Sequence, residues 1–85
     1  NYDYLARDNS QAIIPVELFD DGYLTYFKFP DKNKIIPKIF VKDKNGKMDP
    51  CHMLAFNDYI IIKGVYSNVF LRSDKKYVEI INKAI

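Results

Sequence analysis

Apolar runs alternate with turn-forming clusters along this chain. Pro15–Phe19, Tyr23–Phe29, Ile35–Lys42, Met48–Phe56, Tyr59–Val65, Asn68–Arg72 and Lys76–Asn82 are rich in branched and aromatic side chains. Between them stand Asp20-Asp21-Gly22, Pro30–Lys34, Asp43-Lys44-Asn45-Gly46, Asn57-Asp58, Tyr66-Ser67 and Ser73-Asp74-Lys75. An acidic residue followed by glycine suits a tight hairpin, because glycine accepts the positive φ such turns require. Turns that recur roughly every 8–12 residues predict about seven mostly antiparallel strands, the pattern of a small β-sandwich or barrel. Pro50 marks an edge or an irregular start within Met48–Phe56. No helix is expected. Asn9-Ser10-Gln11 begins at most a short turn, which Pro15 stops.

Successive strand residues point to opposite faces, so alternation assigns a core. Val16 and Leu18, Ile39 and Val41, Val69 and Leu71, and Val78 and Ile80 read as inward. The opposite positions are mostly polar, yet they also hold Phe19, Phe40, Phe70, Tyr77 and Ile81. If several of Phe40, Phe70, Tyr77 and Ile81 lie together, they form an apolar patch of the kind that marks a docking surface. Phe40, Phe70 and Tyr77 are the candidate partner-binding residues. The bland alternative is that each packs singly against a loop or the N-terminal segment.

Composition narrows the class. With 85 residues the chain makes one small domain, residues 1–85. Tyr (7) and Phe (6) are abundant, which favours strands over helices. The chain opens at Asn1 without methionine or apolar leader, and the expectation is a fragment or processed product of a longer protein. Its longest apolar stretch, Tyr59–Ile62, is too short to cross a bilayer. A net charge of +2 is too small to predict nucleic-acid binding by itself.

Catalytic and metal chemistry finds little support. Asp20 and Asp21 are neighbours on an extended chain, so their side chains diverge instead of facing one substrate. The same geometry separates Cys51 from His52, and no second histidine is present to act as a base. One Cys and one His fall short of a closed zinc shell, and Asp43-Lys44-Asn45-Gly46 lacks the later ligands of a calcium loop. No metal, cofactor or catalytic residue is therefore expected, and the chain reads as a binding module, not an enzyme.

One segment is more specific. Pro15, Phe19-Asp20-Asp21-Gly22, Thr25-Tyr26 and Phe29-Pro30, followed by Pro37–Phe40, Asn45-Gly46, Tyr59–Ile62, Phe70-Leu71-Arg72 and Val78–Asn82, resemble the C-terminal domain of TrbG/CagX/TraO-type subunits of type IV secretion, conjugation and DNA-uptake (competence) systems. The resemblance covers nearly the whole chain. Asp49-Pro50-Cys51-His52 departs from it, where relatives carry a valine-asparagine-tyrosine-like strand. The resemblance implies a β-sandwich in the outer-membrane core complex, in the periplasm of a Gram-negative bacterium. It also implies partners: a small lipoprotein, further copies of the subunit in a ring, and an inner-membrane-anchored core subunit.

Cys51 is the only cysteine, so it has no partner within the chain. In an oxidising envelope it is a candidate for an intermolecular disulfide with the lipoprotein or with a second copy. The alternative is a buried free thiol. A rival function remains. Lys32, Lys34, Lys38, Lys42, Lys44 and Lys47 with the many aromatics would suit a small barrel that binds single-stranded nucleic acid by stacking and charge. Interleaved Asp31 and Asp43 dilute that stretch, and lysines on alternate positions also protect strand edges.

Overall fold

Branched and aromatic residues at alternate positions build nine strands in a computed structural model that describes residues 2–30, 36–43 and 45–84. The strands are β1 (Tyr2–Ala6), β2 (Glu17–Asp20), β3 (Leu24–Lys28), β4 (Lys38–Lys42), β5 (Met48–Pro50), β6 (Met53–Phe56), β7 (Tyr59–Lys63), β8 (Asn68–Ser73) and β9 (Lys76–Asn82). One sheet has the order β1-β9-β8-β4-β5 and the other β2-β3-β7-β6. Every pairing is antiparallel. The expected all-β sandwich is what forms. Among the described residues the one helical piece is a 3-10 turn, Gln11–Ile13, at the place where a short turn was expected.

Two strands exceed the expected seven. The first is β1, which pairs along β9 from Tyr2↔Asn82 to Ala6↔Val78. Its residues alternate too weakly to announce a strand; pairing to β9 holds them extended. The second arises because Met48–Phe56 is two strands in different sheets, with Cys51 and His52 crossing between them. Proline has no N–H to continue a ladder, so Pro50 ends β5. The Cys51 N–H then donates to the Ile39 carbonyl at 2.7 Å as the chain turns away.

The turn chemistry matches the sequence expectation. Gly22 (φ 90°) and Gly46 (φ 80°) take positive φ in the β2–β3 and β4–β5 hairpins. Asn57 (φ 53°) and Asp74 (φ 57°) do so in the β6–β7 and β8–β9 turns, where a short polar side chain tolerates that region. Of the expected loop Pro30–Lys34, residues 31–34, with Lys32 and Lys34, lie outside the described residues, as do Ile35 and Lys44.

The core sits between the sheets. Ile39, Val41, Val69, Leu71, Val78 and Ile80 are buried there, as alternation predicted. Leu18 is half-buried against them. Val16 is not core: it is 61% exposed. Alternation gives it the face of Leu18, but it precedes the first residue of β2, an edge strand, where the facing sheet no longer covers it. Ile13, Phe27, Phe29, Ile60 and Ile62 complete the core.

Candidate protein-binding face

The register of the five-stranded sheet determines what its outer face presents. Phe40 stands opposite Phe70 on β8 and Pro50 on β5, Phe70 opposite Glu79, and Glu79 opposite Leu5. One step toward the β8–β9 turn, Lys38 stands opposite Arg72, and Arg72 opposite Tyr77. Arg7 extends this row beyond β1, its N–H donating to the Tyr77 carbonyl at 2.9 Å. The candidates Phe40, Phe70 and Tyr77 are therefore brought together on one face. The Phe70 and Tyr77 rings stack with centroids 6.4 Å apart.

Their roles differ. Phe70 is only 3% exposed, so it is not the surface contact the pattern suggested. It forms a floor, with the Tyr77 ring stacked on it and the Lys42 side chain over it. The Lys42 ammonium lies 5.4 Å from the Phe70 ring centroid. The Arg7 guanidinium lies 5.3 Å from that of Tyr77. Phe40 and Tyr77 are half-buried, and Leu5, Ile36 and Met48 around them are exposed. Burial holds the Tyr77 hydroxyl above its ordinary pKa, with Glu79 adding to the rise. Ser10 anchors the far side: it is fully buried, and its Oγ accepts the Tyr77 N–H at 2.9 Å.

A cavity of about 430 Å³ opens at the edge of this face, lined by Ile36, Lys38, Phe40, Arg72, Ser73 and Asp74. Like charges directly opposite across a ladder are unfavourable, and Lys38 and Arg72 hold that relation. Neither belongs to an ion pair among the described residues, where the pairs are Lys28–Glu17 and Lys83–Asp3.

Alternation also conceals a second apolar face, on the outside of the four-stranded sheet. Phe19, Tyr26, Ile61 and Leu54 form one row across it. The Phe19 ring stacks on Tyr26 at 4.8 Å and meets Tyr59 edge-on at 5.6 Å. Phe19, Leu54 and Phe56 are exposed. Phe19 was visible as an outward position, but Leu54 and Phe56 fell within a segment read as a single strand.

Asp20 and Asp21 use their carboxylates as hydrogen-bond acceptors, at the turn as expected and, for Asp20, also toward β1 of the other sheet. Asp20 Oδ1 accepts the Gly22 N–H at 3.0 Å, and its Oδ2 accepts the Tyr2 hydroxyl at 2.7 Å. Asp21 accepts the N–H groups of Tyr23 and Leu24 and the Tyr26 hydroxyl. These donors hold the Asp21 carboxyl below its ordinary range, the Leu24 N–H having the largest effect. Cys51 is a free thiol, half-buried against the core, and burial pushes its pKa up. Among the described residues, no three His, Cys, Asp or Glu side chains gather as metal ligands, and no helix is long and apolar enough to cross a membrane.

The sequence matches the CagX family model, described as a conjugal transfer protein, over residues 1–83. It is 32% identical to Protein virB9 of Agrobacterium fabrum over 84 residues, 99% of this chain and 28% of that protein. It is 31% identical to the type IV secretion system protein virB9 of Brucella abortus over 91 residues, 99% of this chain and 30% of that protein. The chain thus spans about three-tenths of the length of these curated relatives.

Proposed function

The chain belongs to the CagX family of conjugal transfer proteins, and on that premise we propose that it is the β-sandwich assembly module of a type IV secretion or conjugation subunit. In this reading it acts by binding, not catalysis, and sits in the periplasm within the outer-membrane core complex. DNA-uptake systems are included in the same reading. Its first partner is a small lipoprotein of the complex, bound as an extended segment along the outer face of the five-stranded sheet. Further copies in a ring and an inner-membrane-anchored subunit are the other partners. The observation that carries the proposal is the convergence of Phe40, Phe70 and Tyr77 from three adjacent strands onto one face. A second apolar face on the opposite side, around Phe19 and Leu54, suits a subunit that must touch more than one neighbour.

The test is co-expression with the lipoprotein and its capture. Phe40→Ala and Tyr77→Ala should weaken capture with the fold intact, because both side chains are partly exposed. Normal capture by both variants would move the lipoprotein to another surface. Cys51 enters as a proposed disulfide to that lipoprotein or to a second copy. A partner band released on reduction would support it, and a thiol that reacts only after unfolding would make Cys51 a core residue.

The nucleic-acid alternative is less well served. Stacking needs open ring faces. Here Phe70 is buried beneath Lys42, and Arg7 occupies the face of Tyr77.

A further inference from the structure

We infer that the cavity between β4 and β8 is a carboxylate pocket, selecting an extended partner segment in which an acidic residue stands two positions from an apolar one. The inference rests on the protein-binding reading above and deepens it by naming the chemistry of the partner.

Three observations meet at the pocket. First, Lys38 and Arg72 stand directly opposite on adjacent strands and face the same side, and both line the cavity. Such a like-charged pair is relieved when an anion sits between its members. The lining holds these two cations against one anion, Asp74, so a net positive charge remains. Second, the row continues through Tyr77 to Arg7, so cations flank the aromatic residue on both sides. On the neighbouring row of the same face, opposite Phe70, Glu79 already accepts a hydrogen bond from the Asn68 amide at 2.8 Å. Third, Phe40 lines the same cavity and lies two residues beyond Lys38 on β4. Residues two apart on a strand share a face and are separated by roughly 6.6 Å. An extended partner running along β4 repeats that spacing, so an acidic residue over Lys38 and Arg72 puts its neighbour two along over Phe40.

The chemistry favours a peptide carboxylate over a phosphate of a nucleic-acid strand. Both would satisfy the cations, but a nucleotide would also need an aromatic platform. The rings here are covered by Lys42 and Arg7, or stand half-buried among exposed aliphatic side chains such as Ile36.

The test uses the 85-residue chain and two terminally blocked, labelled twelve-residue peptides on a threonine-serine background. One carries glutamate two positions before leucine, repeated twice; the other has glutamine in place of each glutamate. At low salt the glutamate peptide should bind about fivefold more tightly, the size expected for partly exposed charge pairs. That preference should shrink as salt rises. It should vanish in the Lys38→Gln/Arg72→Gln double variant and persist in Lys63→Gln, which removes a cation from the other sheet. Equal binding of the two peptides, or a preference that survives the double variant, overturns the pocket. So does tighter binding of a thymidine dodecanucleotide that displaces the glutamate peptide. Failure of both peptides to bind also overturns it, while lipoprotein capture by the same chain judges the wider reading separately.

Discussion

Phe70→Ala separates the floor of the proposed face from its contacts. Phe70 lies outside the sandwich core, yet only 3% of it is exposed. Truncating a buried phenylalanine costs about 3–5 kcal/mol. Tyr77 and the Lys42 side chain lie against Phe70, and Phe40 stands opposite it on β4; all three are half-buried or exposed and able to settle into the vacated space. The expected cost is therefore the lower figure, about 3 kcal/mol. A domain of this size has about 4–13 kcal/mol of stability in total. Urea unfolding should show the loss as a midpoint lowered by about 2 M, taking a slope of about 1.5 kcal/mol per M. Phe19→Ala on the other outer face is the comparison, since Phe19 is 42% exposed, and should cost no more than about 1.5 kcal/mol. If Phe70→Ala costs under about 1 kcal/mol, or no more than Phe19→Ala, the floor reasoning is wrong. The consequence for binding is direct: reduced capture by a Phe70 variant reports on folding, whereas Phe40 and Tyr77 report on contact.

Three further outcomes follow from single residues. Gly64→Ala should cost about 2–3 kcal/mol in thermal or urea unfolding, because φ is +104° there and an added Cβ would stand 2.7 Å from the Tyr66 hydroxyl. Ser10→Ala should cost about 1–3 kcal/mol by orphaning the Tyr77 N–H, and hydrogen exchange at Tyr77 should quicken. Asp21 has a carboxyl pKa lowered by the Leu24 and Tyr23 N–H groups and the Tyr26 hydroxyl. Its contribution is thus fully present above the unfolded value near about 4 and is lost only as pH falls through the lower folded value. A carbon-detected NMR titration of Asp21 should find its midpoint below that of Asp21 in the urea-unfolded chain, and an equal midpoint would contradict the hydrogen bonds.

Much of the fold was legible because period-two alternation and turn chemistry agree along most of the chain. Val69, Leu71, Val78 and Ile80 lie where alternation puts them, and Gly22 and Gly46 take the φ their hairpins require. The misreadings have local causes. Tyr2–Ala6 reads as polar and apolar residues without clear order, and only the exposed ladder of β9 makes it a strand. Met48–Phe56 reads as one run because composition records a proline but not that the chain changes sheets beside it. At the candidate site, the sequence supplied the side on which Phe40, Phe70 and Tyr77 lie. Strand order, which brings β4, β8 and β9 together, depends on contacts distant in sequence. So does the covering of Phe70 by Lys42, and the arrival of Arg7 beside Tyr77.

The change of sheet has a consequence for solution behaviour. The two edges it creates are unequal. The short β5 carries Asp49 and Pro50, a charge and a residue without an N–H, which both discourage pairing with another strand. In β6, Met53-Leu54-Ala55-Phe56, all four residues are exposed, with neither charge nor proline among them. In a two-residue hairpin such as Asn57-Asp58, the pair flanking the turn exchanges hydrogen bonds. Phe56 and Leu54 therefore point their backbone groups toward β7, and Ala55 and Met53 point theirs outward. Among the described residues that leaves an apolar edge with unpaired donors and acceptors, which invites strand-to-strand association. The chain should therefore self-associate with rising concentration in sedimentation or light scattering. Leu54→Lys should suppress this, because it sets a charge on the edge strand while leaving the core untouched. Its effect on folding stability should stay within about 0.5 kcal/mol, as for an exposed position away from the core. A chain that stays monomeric at high concentration, or one that associates equally well with Lys at position 54, would show that β6 is not the surface through which copies meet.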